Sequence, residues 1–225
     1  MGSTFSTGGD DLYDFFTIPP MPDIKVDEPT VGEEITVQTF YEGPPACKCC
    51  TNWVERLPNL VPEVAKEKYD GAAICIYNGK DHMADTLGGL KEINPRHITI
   101  QSSVIRNEIA PILEKGGMLG TPLGKHKLTI HTPFKELFFA HPQIVQLYHS
   151  HAAGSQEKKH LKLLVDVMGQ LFHRTSPRVA ELHEKKLIDC AHLWTIFPRG
   201  IIVYSCIAGQ DHVFHVDSVD RDPTA

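Results

Sequence analysis

The chain has 225 residues, 41% of them hydrophobic, and a formal net charge of −6. That length buries one sizeable core plus tails. The positive charges are dispersed, apart from pairs such as Lys158–Lys159 and Lys185–Lys186, which argues against a general binder of nucleic acid or anionic membrane.

Residues 1–30, rich in Gly, Ser, Asp and Pro, read as a disordered tail. Within it Tyr13, Phe15 and Phe16 sit beside acidic residues, as a short docking motif would, though a tail that contacts nothing is the favoured reading. Gly2 followed by Ser6 fits the loose N-myristoylation pattern, without a polybasic second anchor. Residues 31–65 read as a Cys-containing connector that includes a strand at Ile35–Phe40. Residues 66–219 read as a single α+β domain, and 220–225 as a C-terminal tail.

The domain opens with an apolar run from Ala72 to Tyr77, followed by Asn78–Gly79, a strong hairpin signal. His97–Gln101 is a further strand. Ser102 or Ser103 then caps a helix whose apolar face is Ile105, Ile109, Ile112 and Leu113, with Pro111 expected to kink it and Gly116–Gly117 to end it. After a short strand at Lys127–His131, Thr132–Pro133 has the form of a helix start, with Phe134, Leu137, Phe138 and His141 on one face. Pro142 is expected to break that helix.

The cleanest helix follows Gly154–Ser155. Its stripe of Leu161, Leu164, Val165, Met168, Leu171 and Phe172 keeps helical spacing. Ser176–Pro177 starts another, with Val179, Leu182 and Leu187 inward. Asp189 is placed to cap a short aromatic helix holding Leu193, Trp194 and Phe197. Gly200 then leads into a wholly apolar strand from Ile201 to Cys206. A turn at Ala208–Asp211 returns the chain through His212–Val216. Strands in clusters and helices in a block predict an α+β fold: a small mixed or antiparallel sheet, packed helices and a C-terminal β-hairpin.

Cys47 and Cys50 form a CxxC with Cys49 inside it, a spacing that lets two thiolates reach one tetrahedral zinc. Such a site needs two more ligands, and no second CxxC or HxxxH supplies them. Folding would have to bring in Cys75, His82 or His97. The favoured alternative is a thiol-rich surface turn leading to Trp53. The six cysteines, with no export signal at Met1–Ser6, are expected to be reduced, in the cytoplasm or nucleus.

No catalytic residue emerges. None of the 13 histidines forms HExxH, and His183–Leu187 fails at its last position. Gly120–His126 resembles a phosphate loop, but its first Gly is one residue too close to Gly124–Lys125, and His126 replaces the Mg²⁺-binding hydroxyl. There is no GxSxG, so Ser102, Ser103 and Ser150 near histidines carry no nucleophile argument. No run approaches the ~18 apolar residues of a membrane span.

Leu193–Gly200 followed by Ile202–Tyr204 resembles the hallmark of an uncharacterised domain found N-terminal to the ATPase core of fungal AAA-type ATPase-like proteins. Cys47–Glu55, with Trp53, is similar to the cysteine–Asn-Trp-Val element before that domain. Ile98–Ser102 with Val104–Ile105 resembles its strand-then-helix step, and Pro133–Phe138 through Leu161–Leu164 its paired helices. The match runs from about residue 45 to 219 and departs at Ala140–Pro142. It implies a non-catalytic accessory domain with a protein partner. With no Walker motif in this sequence, any ATPase activity is expected to belong to an absent module. The alternative is a stand-alone zinc protein or enzyme built on Cys47, Cys49, Cys50 and nearby histidines.

Overall fold

The computed structural model describes residues 31–45, 49–56, 71–80, 93–115 and 127–219. The expected tail at 1–30, Cys47, His82, Gly116–Gly117, the Gly120–His126 loop and residues 220–225 lie outside them. The architecture is α+β. One sheet of five strands has the order β2-β1-β3-β4-β5. Its members are β1 (Glu34–Glu42), β2 (Trp53–Val54), β3 (Ala72–Lys80), β4 (Ile93–Ile100) and β5 (Leu128–His131). The sheet is mixed, because β1 lies parallel to β3 while the other pairs are antiparallel. It therefore takes in strands from the 31–65 segment as well as from the region after it.

Side chains alternate across a strand, so register decides which face each residue serves. Ile74 opposes Ile100, Ile76 opposes Ile98, and Ile98 and Ile100 oppose Ile130 and Leu128. These branched side chains make one apolar face, and the helices cover it. Helix α1 (Ser103–Lys115) contributes Ile105, Ile109 and Leu113; α2 (Lys135–Ser150) contributes Leu137, Ala140 and Ile144; α3 (Gln156–Leu171) contributes Leu161, Leu164 and Met168. All belong to one buried cluster with the sheet. Each fully buried Leu or Ile is worth about 1.5–3 kcal/mol relative to exposure. Ser155 caps α3, its hydroxyl accepting from the Lys158 N–H at 3.1 Å.

Several local expectations fail for identifiable reasons. Asn78–Gly79 is not a turn. Strand β3 runs through it, with Asn78 opposite Pro95 and Gly79 opposite Asn94. The Arg96 side chain occupies the space beside Gly79, where a Cβ would lie 2.2 Å from its Nε. Glycine here makes room for a neighbour rather than for a bend.

Thr132–Pro133 does not open α2. The peptide is cis, the Phe134 N–H donates to the His131 carbonyl at 2.7 Å, and the helix begins at Lys135. Phe134 adopts a left-handed φ of 62° while its ring is buried. Nor does Pro142 break α2, which continues to Ser150 with Pro142 on its exposed side. Pro142 has no N–H for the Phe138 carbonyl, but Leu137, Ala140 and Ile144 on the opposite stripe are fully buried. Helix α1 holds Pro111 within its span and continues to Lys115.

Leu187 is 60% exposed rather than inward. Helix α4 (Thr175–Glu184) ends in a Schellman arrangement: the Lys186 N–H donates to the His183 carbonyl at 3.0 Å and the Leu187 N–H to the Leu182 carbonyl at 2.8 Å. Lys186, at φ 53°, turns the chain off the apolar stripe before Leu187.

Candidate functional site

The last described stretch separates into a buried anchor and an exposed hairpin. A 3₁₀ turn spans Leu193–Ile196. Asp189 caps the turn before it, accepting from the His192 N–H at 2.9 Å and from His192 Nδ1 at 2.6 Å. The bond from His192 holds the Asp189 carboxyl below its ordinary range. Trp194 faces inward and meets Phe138 edge-on at 4.9 Å and Phe139 at 6.1 Å between ring centroids. Leu193 points outward, Phe197 is half-buried, and Gly200 sits at φ 82° in the turn that follows.

Beyond Gly200 come β6 (Ile202–Ile207) and β7 (Gln210–His215), a two-stranded sheet separate from the first. The connection is a two-residue loop, Ala208 at φ 53° and Gly209 at φ 79°, the type I′ geometry that matches strand twist. The base is closed by the Val216 N–H to the Ile201 carbonyl at 3.0 Å and the Gly200 N–H to the Val216 carbonyl at 2.7 Å. The Lys135 ammonium reaches the Val219 carbonyl just beyond it.

The expected apolar strand is present, but it is not buried. Ile202 is 65% exposed, Tyr204 65%, Ile207 52%, Val213 68% and Phe214 44%. Register puts Ile202, Tyr204 and Val213 on one face, with Tyr204 directly across from Val213. The Tyr204 hydroxyl donates to Asp211 at 2.5 Å, and that carboxylate raises the phenol's pKa. Ile207 and Phe214 lie on the opposite face, so the exposed apolar side chains are spread over both faces of the hairpin.

The sheet face away from the helices carries a row of rings. Phe40 stacks on Tyr77 at 4.9 Å and Tyr77 on His97 at 4.3 Å. Trp53 meets Tyr77 and His97 edge-on at 5.1 and 5.5 Å. His131 stands beside His97 at 5.4 Å. The stacked rings spend their flat faces on one another. Burial, then His131 and Arg96, lowers the His97 pKa. Sequence reasoning singled out Trp53 and His97 separately. Only the pairing of β1, β2, β3 and β4 brings them together.

Sequence reasoning dismissed Ser102 near histidine, yet Ser102 Oγ lies 3.0 Å from His160 Nδ1. Both are buried, and the same hydroxyl accepts from the Ile105 N–H at 3.3 Å. This is a Ser–His contact inside the core. It caps α1 and ties it to α3.

Cys49 and Cys50 are exposed, with Sγ atoms 4.0 Å apart. Cys75 is buried in β3, where Gln101 Nε2 lies 3.2 Å from its Sγ. Among the described residues, no three His, Cys, Asp or Glu side chains gather as a metal ion would require. No helix among them is long and apolar enough to cross a membrane. The chain matches no family model, no curated protein and no solved structure.

Proposed function

We propose that this chain is a non-catalytic accessory domain that works by binding another protein, and that the β6–β7 hairpin is its docking element. The observation that carries this reading is the exposure of Ile202, Tyr204, Ile207, Val213 and Phe214 on one small two-stranded sheet. An isolated two-stranded hairpin is marginal in water, so such an element gains most from a surface to pack on. The resemblance of Leu193–Tyr204 to an accessory region beside an ATPase core agrees with it. The Ser102–His160 pair, being buried, offers no competing catalytic reading.

Comparative co-purification tests this. The intact chain and an Ile202→Asp/Val213→Asp variant are used as bait in extracts of the source cells, with circular dichroism confirming equal folding. The reading expects a defined set of proteins held by the intact chain and lost by the variant. An identical set for both, saturable ATP binding by calorimetry, or stoichiometric zinc whose removal unfolds the chain would overturn it.

A further inference from the structure

We infer that the outer edge of β6 is a self-association edge, on which a second copy of this chain adds its own β6 antiparallel to make a four-stranded sheet. The inference rests on the reading of the hairpin as an interaction surface and names one occupant for it.

Hydrogen-bond parity identifies the groups available. The two-residue loop makes Ile207 and Gln210 a bonded pair, and the bond from the Val216 N–H to the Ile201 carbonyl keeps the same parity at the hairpin base. Bonded and non-bonded pairs alternate along an antiparallel ladder. Val203, Ser205 and Ile207 therefore bond inward to β7. The N–H and C=O groups of Ile202, Tyr204 and Cys206 point outward from β6, and those of Asp211, Val213 and His215 outward from β7.

The two edges differ in chemistry. Edge strands are commonly guarded by charge, proline, a bulge or short length. Strand β7 carries Asp211 on its outer edge. Strand β6 reads Ile-Val-Tyr-Ser-Cys-Ile: six residues with no charge and no proline. Its register with β7 runs unbroken from Ile202 to Ile207, so no bulge twists it away.

That neutrality favours a second copy. A charged edge paired with itself places like charges across the two-fold axis, and β6 has none to place. Centred on Tyr204, antiparallel pairing sets Tyr204 against the partner subunit's Tyr204 and Ile202 against the partner subunit's Cys206. In that register, all three outward residues of each β6 find bonded partners. The pair would be weak, because a single short edge offers less area than a standard interface.

Sedimentation equilibrium of the full chain across a concentration series, under reducing conditions, is the direct test. The expected result is a reversible monomer–dimer equilibrium. Tyr204→Lys, which places a charge at the centre of the edge, weakens it by at least about tenfold. His215→Lys, on the outer edge of β7 and off the β6 edge, leaves it nearly unchanged. Hydrogen exchange by NMR reads the same event residue by residue: amides of Ile202, Tyr204 and Cys206 gain protection with concentration, and those of Asp211, Val213 and His215 do not. A chain monomeric at every concentration overturns the inference, and so does a dimer lost in His215→Lys but kept in Tyr204→Lys. Either result leaves the binding of a different protein to be judged by its own co-purification test.

Discussion

Ser102 Oγ and His160 Nδ1 lie 3.0 Å apart, joining the first turn of α1 to α3 inside the core. Burial holds the His160 pKa below its ordinary 6.5, and His97 is lowered in the same direction. Above that value the imidazole is neutral folded and unfolded alike, and stability is at its maximum. As pH falls below 6.5, the unfolded chain takes up a proton that the folded site resists, so stability declines until the lowered folded pKa is passed. The lowered carboxyls of Glu157, Glu181 and Asp189 act only below their own ordinary range, at more acidic pH. Denaturant midpoints should therefore fall between about pH 7.5 and about pH 5. The fall should shrink in His160→Gln, which keeps a polar partner for Ser102 but cannot titrate. An unchanged slope would place the proton elsewhere.

Trp194 is the ring that fastens the 3₁₀ turn to Phe138 and Phe139 on α2. Trp194→Ala should cost about 3–5 kcal/mol, as truncation of a large buried ring does. Leu193→Ala, on the outward side of the same turn, should cost far less. Paired urea titrations give both values, and equal losses would mean that the turn is not anchored through the indole.

Gly32 sits at φ 78°, and a Cβ there would lie 2.5 Å from the Gln101 carbonyl carbon and 2.6 Å from the Ser102 nitrogen. Neither backbone atom can swing aside. Gly32→Ala should destabilise by about 1–3 kcal/mol. A thermal melt equal to the parent's would show that the backbone at Gln101 and Ser102 gives way to the added methyl.

Lys186 occupies the left-handed position of the α4 terminus at φ 53°. Lys186→Gly removes the clash of its Cβ with the following carbonyl and should raise stability by about 1 kcal/mol. The gain should be read from the denaturant midpoint, and any loss would assign the Lys186 side chain a contact worth more than the strain.

Cys75 is buried in β3, while Cys190 and Cys206 are exposed. Ellman's reagent should label Cys190 and Cys206 at once and Cys75 only as the chain unfolds, resolved by peptide mapping. Prompt labelling of Cys75 would mean that the sheet opens locally.

The elements most legible in the sequence were those with strong periodicity. Leu161, Leu164 and Met168 repeat along one stripe of α3, and all three are fully buried. The failures share a cause: a local signal met a long-range partner. Asn78–Gly79 is a turn dipeptide until Arg96, from another strand, fills the space beside Gly79. The Thr132–Pro133 signal gives way to burial of the Phe134 ring. The candidate surface was half legible. The apolar character of Ile201–Cys206 stands plainly in the chain, but exposure depends on what the rest of the fold fails to cover. The His97–Trp53–Tyr77 row was illegible, because its members come from three strands far apart in sequence.

Strand β1 lies parallel to β3, whereas β3, β4 and β5 join antiparallel. During synthesis β1 is made before β3, the parallel partner it pairs with along most of its length, and its antiparallel neighbour β2 is only two residues long. The edge that β3 will fill is thus completed late, and unfilled strand edges are where nascent chains associate. Acidic Glu33, Glu34 and Glu42 along this stretch give the waiting segment a charge that discourages premature association.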